Sequence, residues 1–212
     1  MKRLDEKYLT TVDLVRHGQC QGGEIYRGST DVELTELGWQ QMTDALAANL
    51  SDGGVGPWDK IITSPLKRCR LFAESKAQQW QLPLAVEENF REMNFGDWEG
   101  RPMSEVHEQH KAEVEQFYRD PSQHTPRNGE PVLAVQARML SAWQSIMAAH
   151  QGQHLLLIQH GVSIRVLLLS LLNMPLAQMG TIEIPYAGMA RLKVYTGGQR
   201  TRVVLAGLNR IS

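Results

Sequence analysis

Short, nearly unbroken apolar runs alternate along this chain with longer segments whose apolar residues recur every three or four positions. Runs of the first kind, at residues 11–15, 60–63, 84–86 and 155–158, read as strands buried on both faces, the pattern of a parallel sheet. Segments of the second kind read as helices. The first opens on Thr35, a natural N-cap, and carries Trp39, Met42, Leu46 and Leu50 at helical spacing. Ser64-Pro65 reads as a cap with proline in the first helical position. The helix behind it carries Leu66, Arg68, Arg70 and Phe72 towards Trp80. Val132, Val135, Met139, Trp143 and Ile146 mark one face of an amphipathic helix, and residues 163–172 read as a buried one.

Residues 94–131 interrupt this alternation. A polar helical stretch around 104–118 and a loop from 120 to 131 predict an insertion that covers one end of the sheet. The tail reads as three further strands, at 181–184, 190–195 and 201–205, with Gly197-Gly198 suited to a tight hairpin between the last two. Strands alternating with helices predict an α/β fold. The expected architecture is a three-layer α/β/α sandwich with a mostly parallel central sheet and a helical insertion over the site, in one domain spanning residues 1–212.

The 212 residues, 42% of them hydrophobic, suffice for one well-buried core. A formal net charge of -1, with acids and bases spread along the chain, supplies no basic face for nucleic acid or an anionic membrane. The longest apolar stretch, 166–172, contains Ser170 and falls far short of the ~20 residues of a membrane span. The first ten residues are highly charged and show no signal peptide. Cys20 and Cys69 build no disulfide framework, and reduced thiols are their simplest reading. A soluble, cytoplasmic protein with neither nucleic-acid nor membrane partner is expected. Its oligomeric state is left open, a homodimer included.

Two of the expected strands end in His-Gly: Arg16-His17-Gly18 follows the first, and Gln159-His160-Gly161 follows the most apolar one. Ligands of α/β sheets gather beyond the carboxyl ends of the strands. If these strands are neighbours, two imidazoles and the Arg16 guanidinium meet at one rim, which describes a phosphate site. Neutral histidine is a good nucleophile towards phosphorus, and its phosphoramidate is labile enough to hydrolyse. Nearby arginines keep it neutral and grip the phosphoryl oxygens. Arg68, in the first turn after Ser64-Pro65, is the candidate second guanidinium, although alone it reads as a solvated helix charge. Glu92 is the candidate general acid, with Phe95 and Trp98 as neighbours that would desolvate it; alone it reads as a surface acid. His107 and His110 miss the zincin spacing, because Lys111 stands where the second histidine belongs; a solvated helix face is the favoured reading over a metal pair. No Walker A loop is present, and neither cysteine has an arginine six positions later.

Leu14-Val15-Arg16-His17-Gly18 resembles the Arg-His-Gly signature of the histidine phosphatase superfamily, the phosphoglycerate mutase-like fold. Ser64-Pro65-Leu66-Lys67-Arg68 is similar to its second arginine motif, residues 92–100 to its acid motif, and Gln159-His160-Gly161 to its second histidine, in family order over residues 11 to 208. The resemblance implies His17 as the phosphorylated nucleophile, Arg16, Arg68 and His160 as the phosphate pocket, Glu92 as the proton donor, and no metal or other cofactor. Tyr26-Arg27-Gly28, Asp31, Leu34-Thr35 and Gly38 resemble the α-ribazole phosphatase branch. That likeness implies a substrate-binding surface of Gln19, Tyr26, Arg27 and Gly28 beside Arg16, Arg68 and His160. Gln19-Cys20 departs from the Glu-Thr common there. The activity so implied is a metal-independent phosphomonoesterase acting on a small phosphorylated metabolite such as α-ribazole 5′-phosphate. Phosphoglycerate mutase-type transfer, a protein phosphohistidine phosphatase in signalling and a catalytically dead binding module are the alternatives. The acid motif of phosphoglycerate mutases continues with His-Tyr-Gly, whereas Phe95-Gly96-Asp97-Trp98-Glu99-Gly100 resembles the phosphatase branch, which speaks against the first, and a covered pocket speaks against the second.

Overall fold

The computed structural model describes residues 8–51, 54, 56–197 and 200–209. The four continuous apolar runs form strands β1 (Tyr8–Arg16), β2 (Lys60–Thr63), β3 (Leu84–Val86) and β4 (His154–Gln159), followed by β5 (Met189–Gly197) and β6 (Arg200–Leu208). Among the described residues they make a six-stranded sheet in the order β3-β2-β4-β1-β5-β6. The first four pair in parallel, β5 is antiparallel to β1, and β6 is antiparallel to β5, so β5 alone runs against the rest.

Helices cover both faces: α1 (Glu36–Ala47) and α2 (Lys67–Trp80) on one, α5 (Val132–Ala149) and α6 (Gly161–Leu171) on the other. The run Leu155-Leu156-Leu157-Ile158 shows why β4 must be central. Leu155 and Leu157 enter the core with α5 and α6, while Leu156 and Ile158 enter the core with α1 and α2, all fully buried. Side chains alternate across a strand, so an unbroken apolar run serves two cores at about 1.5–3 kcal/mol per residue.

Chain order places the site. From β1 the chain winds outward through α1, β2 and α2 to β3, and β4 then inserts between β2 and β1. Arg16 therefore pairs with Gln159, and His17 and His160 follow neighbouring strand ends.

Four expectations are corrected. Ser64 does not cap α2, which starts at Lys67 after Leu66; the Lys67 N–H is instead donated to Asp31 Oδ1 at 2.8 Å. Residues 181–184 are not a strand. A 3-10 helix (Leu176–Thr181) precedes an extended stretch whose Ile182 and Ile184 carbonyls accept hydrogen bonds from Arg165 and Arg16. The helix expected at 163–172 begins earlier, at Gly161, because His160 occupies the N-cap and donates its N–H to Ser163 Oγ. The stretch 104–118 is two helices, α3 (Met103–Gln109) and α4 (Lys111–Arg119), broken at His110. Thr35 caps α1 as expected, its Oγ1 accepting the Gly38 N–H at 3.0 Å. Of the expected Gly197-Gly198 hairpin turn, Gly197 ends β5 and Gly198 lies outside the described residues. Among the described residues no helix is long and apolar enough to cross a membrane.

Candidate active site

The His17 N–H donates to the Gln159 carbonyl at 3.0 Å, and the imidazoles of His17 and His160 stand with ring centroids 5.3 Å apart and planes inclined at 61°. The turn after His17 lies hard against α1. A Cβ on Gly18 would sit 2.2 Å from the Gly38 carbonyl oxygen, and one on Gly38 would sit 2.0 Å from that of Gln19. Both positions require glycine for this close approach.

Hydrogen bonds assign the proton on each imidazole. His17 Nδ1 donates to the Gly18 carbonyl at 2.8 Å, which leaves Nε2 with its lone pair free. His160 Nδ1 accepts from Arg68 Nε at 3.1 Å, so its Nε2 donates to Ser64 Oγ at 2.6 Å. Burial, with Arg68 and Arg16 behind it, holds His17 well below the ordinary histidine range. Burial, Arg68 and His17 do the same to His160. Cys20 Sγ lies 3.3 Å from His17 Nδ1, but burial pushes its thiol up against the pull of Arg27, Arg68 and Arg16. Burial likewise raises Cys69, beside His160. Neither sulfur offers a ready thiolate, whereas the His17 imidazole keeps an unprotonated Nε2.

Arg68 is wholly buried and is not a solvated helix charge. Beyond His160 it donates from Nη1 to the Thr30 carbonyl at 2.8 Å and from Nη2 to that of Gly28 at 2.7 Å. Arg16 donates from Nη1 to the Ile184 carbonyl at 2.8 Å, lies 4.4 Å from the Tyr186 ring centroid, and keeps a buried Nε without a partner. Glu92, 5% exposed, accepts the Met93 and Ser163 N–H groups on Oε1 and the Val162 N–H on Oε2, each at 3.0 Å. Its carboxyl group thus rests on the first turn of α6. Arg138, from α5, fixes the loop that carries Glu92. It donates to the Asn89 and Arg91 carbonyls at 2.5 and 2.7 Å, reaches that of Glu92 at 3.2 Å, and pairs with Glu130 at 2.8 Å. Phe95 and Trp98, expected to flank Glu92, pack with Tyr26 and Phe117.

A cavity of about 410 Å³ opens on this cluster. Arg16, His17, Tyr26, Arg27 and Glu92 line it, joined by Phe95, Met103 and Tyr118 from the interrupting segment and by Arg165 and Tyr186. Arg68 and His160 stand behind His17. Two expected residues lie elsewhere. Gln19 is turned towards α1, its Oε1 accepting from Thr35 Oγ1 at 2.9 Å and its N–H donated to Gln41 Oε1. Gly28 is a junction in the loop, where a Cβ would stand 1.9 Å from the Met93 carbonyl oxygen. Glu99 ties that loop down. Burial alone would raise its pKa, but bonds from Thr30, Phe95 and Ser29 hold the carboxyl below its usual range. His107 Nε2 pairs with Tyr26 Oη at 3.0 Å and His110 Nε2 with Arg101 Nη1 at 3.3 Å, so the two histidines serve separate contacts.

Sequence reasoning missed Ser64 as the partner of His160, Tyr186 beneath Arg16, Arg138 behind Glu92, and Arg165. For Arg165 a signal existed: it lies four residues after Gly161 and so shares its helix face. Tyr186 follows the stretch misread as a strand, and nothing in its neighbourhood marked it.

The chain spans about half (51%) of the length of mycobacterial relatives that it matches at 27% identity. It is 28% identical to putative phosphoserine phosphatase 2 of Hydrogenobacter thermophilus, with 90% of this chain and 92% of that protein covered. It is 26% identical to the adenosylcobalamin/alpha-ribazole phosphatase of Salmonella typhimurium, over 90% and 94%. The solved structure of Bacillus stearothermophilus YhfR superposes with a TM-score of 0.81 at 28% identity, covering 93% of this chain and 95% of that one. The family model of the histidine phosphatase superfamily (branch 1) matches residues 12–206, and the chain belongs to that superfamily.

Proposed function

We propose that this protein is a metal-independent phosphomonoesterase that works through a phosphohistidine on His17. The observation that carries the reading is the state of that imidazole. Its Nδ1–H is tied to the Gly18 carbonyl, its Nε2 is free, and burial with Arg68 and Arg16 keeps it neutral. In the first step Nε2 attacks phosphorus in line with the ester oxygen, and the P–N bond forms as the P–O bond breaks. Arg16 grips the phosphoryl oxygens from the cavity wall, and Arg68, behind His17, adds its positive charge and fixes His160. Glu92 delivers a proton to the departing alkoxide. In the second step Glu92 removes a proton from water, which attacks phosphorus and returns His17 to its neutral form with release of inorganic phosphate.

The substrate in this reading is a small phosphorylated metabolite taken into the cavity beneath Phe95, Met103 and Tyr118. The named relatives support phosphatase chemistry on more than one such compound, and α-ribazole 5′-phosphate is the candidate that the Tyr26-Arg27-Gly28 resemblance brings. Buried, reduced Cys20 and Cys69 suit a cytoplasmic setting.

Rapid quench with a labelled phosphomonoester tests the mechanism. An acid-labile, base-stable adduct on His17 is expected, with activity unaffected by chelators and inhibited by vanadate. Turnover with label on Cys20, or on no residue, overturns it. Phosphate passed back to a phosphorylated acceptor instead of water would assign the mutase reaction.

A further inference from the structure

Arg165 occupies the cavity wall with Arg16 and Arg27. Its Nε donates to the Ile182 carbonyl at 2.7 Å, which sets the plane of the guanidinium. Its Nη1 and Nη2 have no hydrogen-bond or ion-pair partner among the described residues. Arg16 is close by. From the point where a Cβ on Gly161 would stand, Arg16 Nε and Cζ lie 3.3 and 3.4 Å away and Arg165 Nη1 lies 3.7 Å away. Two guanidinium groups thus share one space above the first turn of α6. Arg27 lines the same cavity, its Nη2 donating to the Gln21 and Gly23 carbonyls at 2.8 Å and its Nε buried without a partner among the described residues.

Like charges at this spacing repel unless an anion lies between them. The cavity's own acids make no hydrogen bond or ion pair with these guanidinium groups among the described residues. Both oxygens of Glu92 are taken up by backbone N–H groups, and Glu24 is exposed and forms no ion pair among the described residues. One phosphoryl group held by Arg16 occupies the cavity donors nearest His17 and leaves the fork of Arg165 open. A guanidinium fork of this kind matches the paired oxygens of a carboxylate or phosphate.

We propose that Arg165, assisted by Arg27, is a second anion subsite, and that the substrate is a phosphomonoester with another anionic group a few bonds from its ester oxygen. This rests on the phosphatase reading above and ranks such acids ahead of α-ribazole 5′-phosphate, whose single anionic group is the phosphate itself. The shared chemistry is an anionic pair of oxygens, and carboxylate and second phosphate are its two sources.

Matched substrates test it. O-Phosphoserine and O-phosphoethanolamine differ by one carboxylate, and propane-1,3-diol bisphosphate differs from its monophosphate by one phosphate. Wild-type kcat/KM should favour the doubly anionic member of at least one pair by roughly 10- to 100-fold, the worth of a charge-assisted hydrogen bond. The pair that shows the preference names the source. Arg165→Gln, whose amide can still reach the Ile182 carbonyl, should remove most of that preference, and Arg165→Lys should keep part of it. Equal wild-type rates within both pairs overturn the proposal. So does an Arg165→Gln variant that loses activity equally on both members, since Arg165 would then merely support the Ile182–Tyr186 stretch. Should that variant fail to fold, the wild-type pairs and Arg165→Lys still decide. Hydrolysis of no phosphomonoester at all, p-nitrophenyl phosphate included, sinks the phosphatase reading itself and the subsite with it.

Discussion

Three residues apart on β1, a buried charge and a half-buried one live under opposite rules. Asp13, fully buried, has every oxygen engaged. Trp58 Nε1 donates to it at 2.8 Å, His154 Nε2 at 2.9 Å, and Arg191 through Nε at 2.7 Å and Nη2 at 2.9 Å. Burial alone would raise its pKa, yet the bonds from His154, Arg191 and Trp58 outweigh it and hold the carboxyl below its usual range. Arg16 is left incomplete, with a buried Nε unpartnered and no carboxylate paired to it or to Arg27, Arg68 or Arg165 among the described residues. A closed network serves the fold. An open one, at the carboxyl ends of the same strands, is poised for something that arrives from outside.

The sharpest way to break this comparison is to remove the nucleophile. His17→Ala should lower turnover by ~10⁴-fold or more, because in the proposed mechanism the whole double displacement runs through Nε2. It should cost only about 1 kcal/mol or less in unfolding experiments, since the open cluster contributes little to stability. Substantial residual turnover, or an unfolded protein, would erase the distinction between the two regions.

Glu92→Gln comes next. General acid help is worth ~10²–10⁴-fold, and an alkyl phosphate needs it far more than an aryl one. Turnover of an alkyl substrate should therefore fall much more steeply than that of p-nitrophenyl phosphate. Equal losses would make Glu92 a binding residue. Because Glu99 is already committed to Ser29, Thr30 and Phe95, it should not take over the proton.

How far this contrast could be read in advance depends on what each residue's signal reports. The parallel strands were legible because burial on both faces forces continuous apolar runs, and the histidines because glycine follows both at strand ends. The stretch Thr181-Ile182-Glu183-Ile184 alternates like a strand, and both isoleucines are buried, but no strand among the described residues pairs with it. Its carbonyls go to Arg165 and Arg16, a tertiary arrangement that no local pattern carries. Gln19 follows the His17-Gly18 turn in sequence and points away from it in space, because Gly18 packs against Gly38 and directs the next side chain to Thr35. Asp13 passed unnoticed since a lone acid in an apolar run declares nothing about its partners.

Asp13→Ala should do the reverse of His17→Ala. Breaking a buried network on one side leaves Arg191 and His154 without their anion and costs about 3–5 kcal/mol. The specific activity of the fraction that remains folded should hold within about twofold. A depressed carboxyl pKa makes its contribution present above the unfolded value of about 3.9 and lost as pH falls towards the folded value. The wild-type protein should accordingly lose a part of its acid stability that Asp13→Ala no longer has. Parallel acid-unfolding curves for the two proteins would show that the network does not stabilise the folded state.

The smallest effect is one of protonation alone. An ordinary histidine is about nine-tenths charged at pH ~5.5. His17 and His160 are held well below that range by burial first and by Arg68 second, so both imidazoles should stay neutral there. Histidine ¹⁵N spectra should show His17 as the Nδ1–H form and His160 as the Nε2–H form, as their bonds to Gly18 and Ser64 require. The sign for stability follows from the same shifts. The unfolded chain takes up protons at these two positions as pH drops below about 6.5 and the folded one does not, so folding weakens from there downwards. Imidazolium signals from His17 at pH ~6 would mean that the arginines and burial around it do not keep the nucleophile ready, and the open cluster would then be only another charge network.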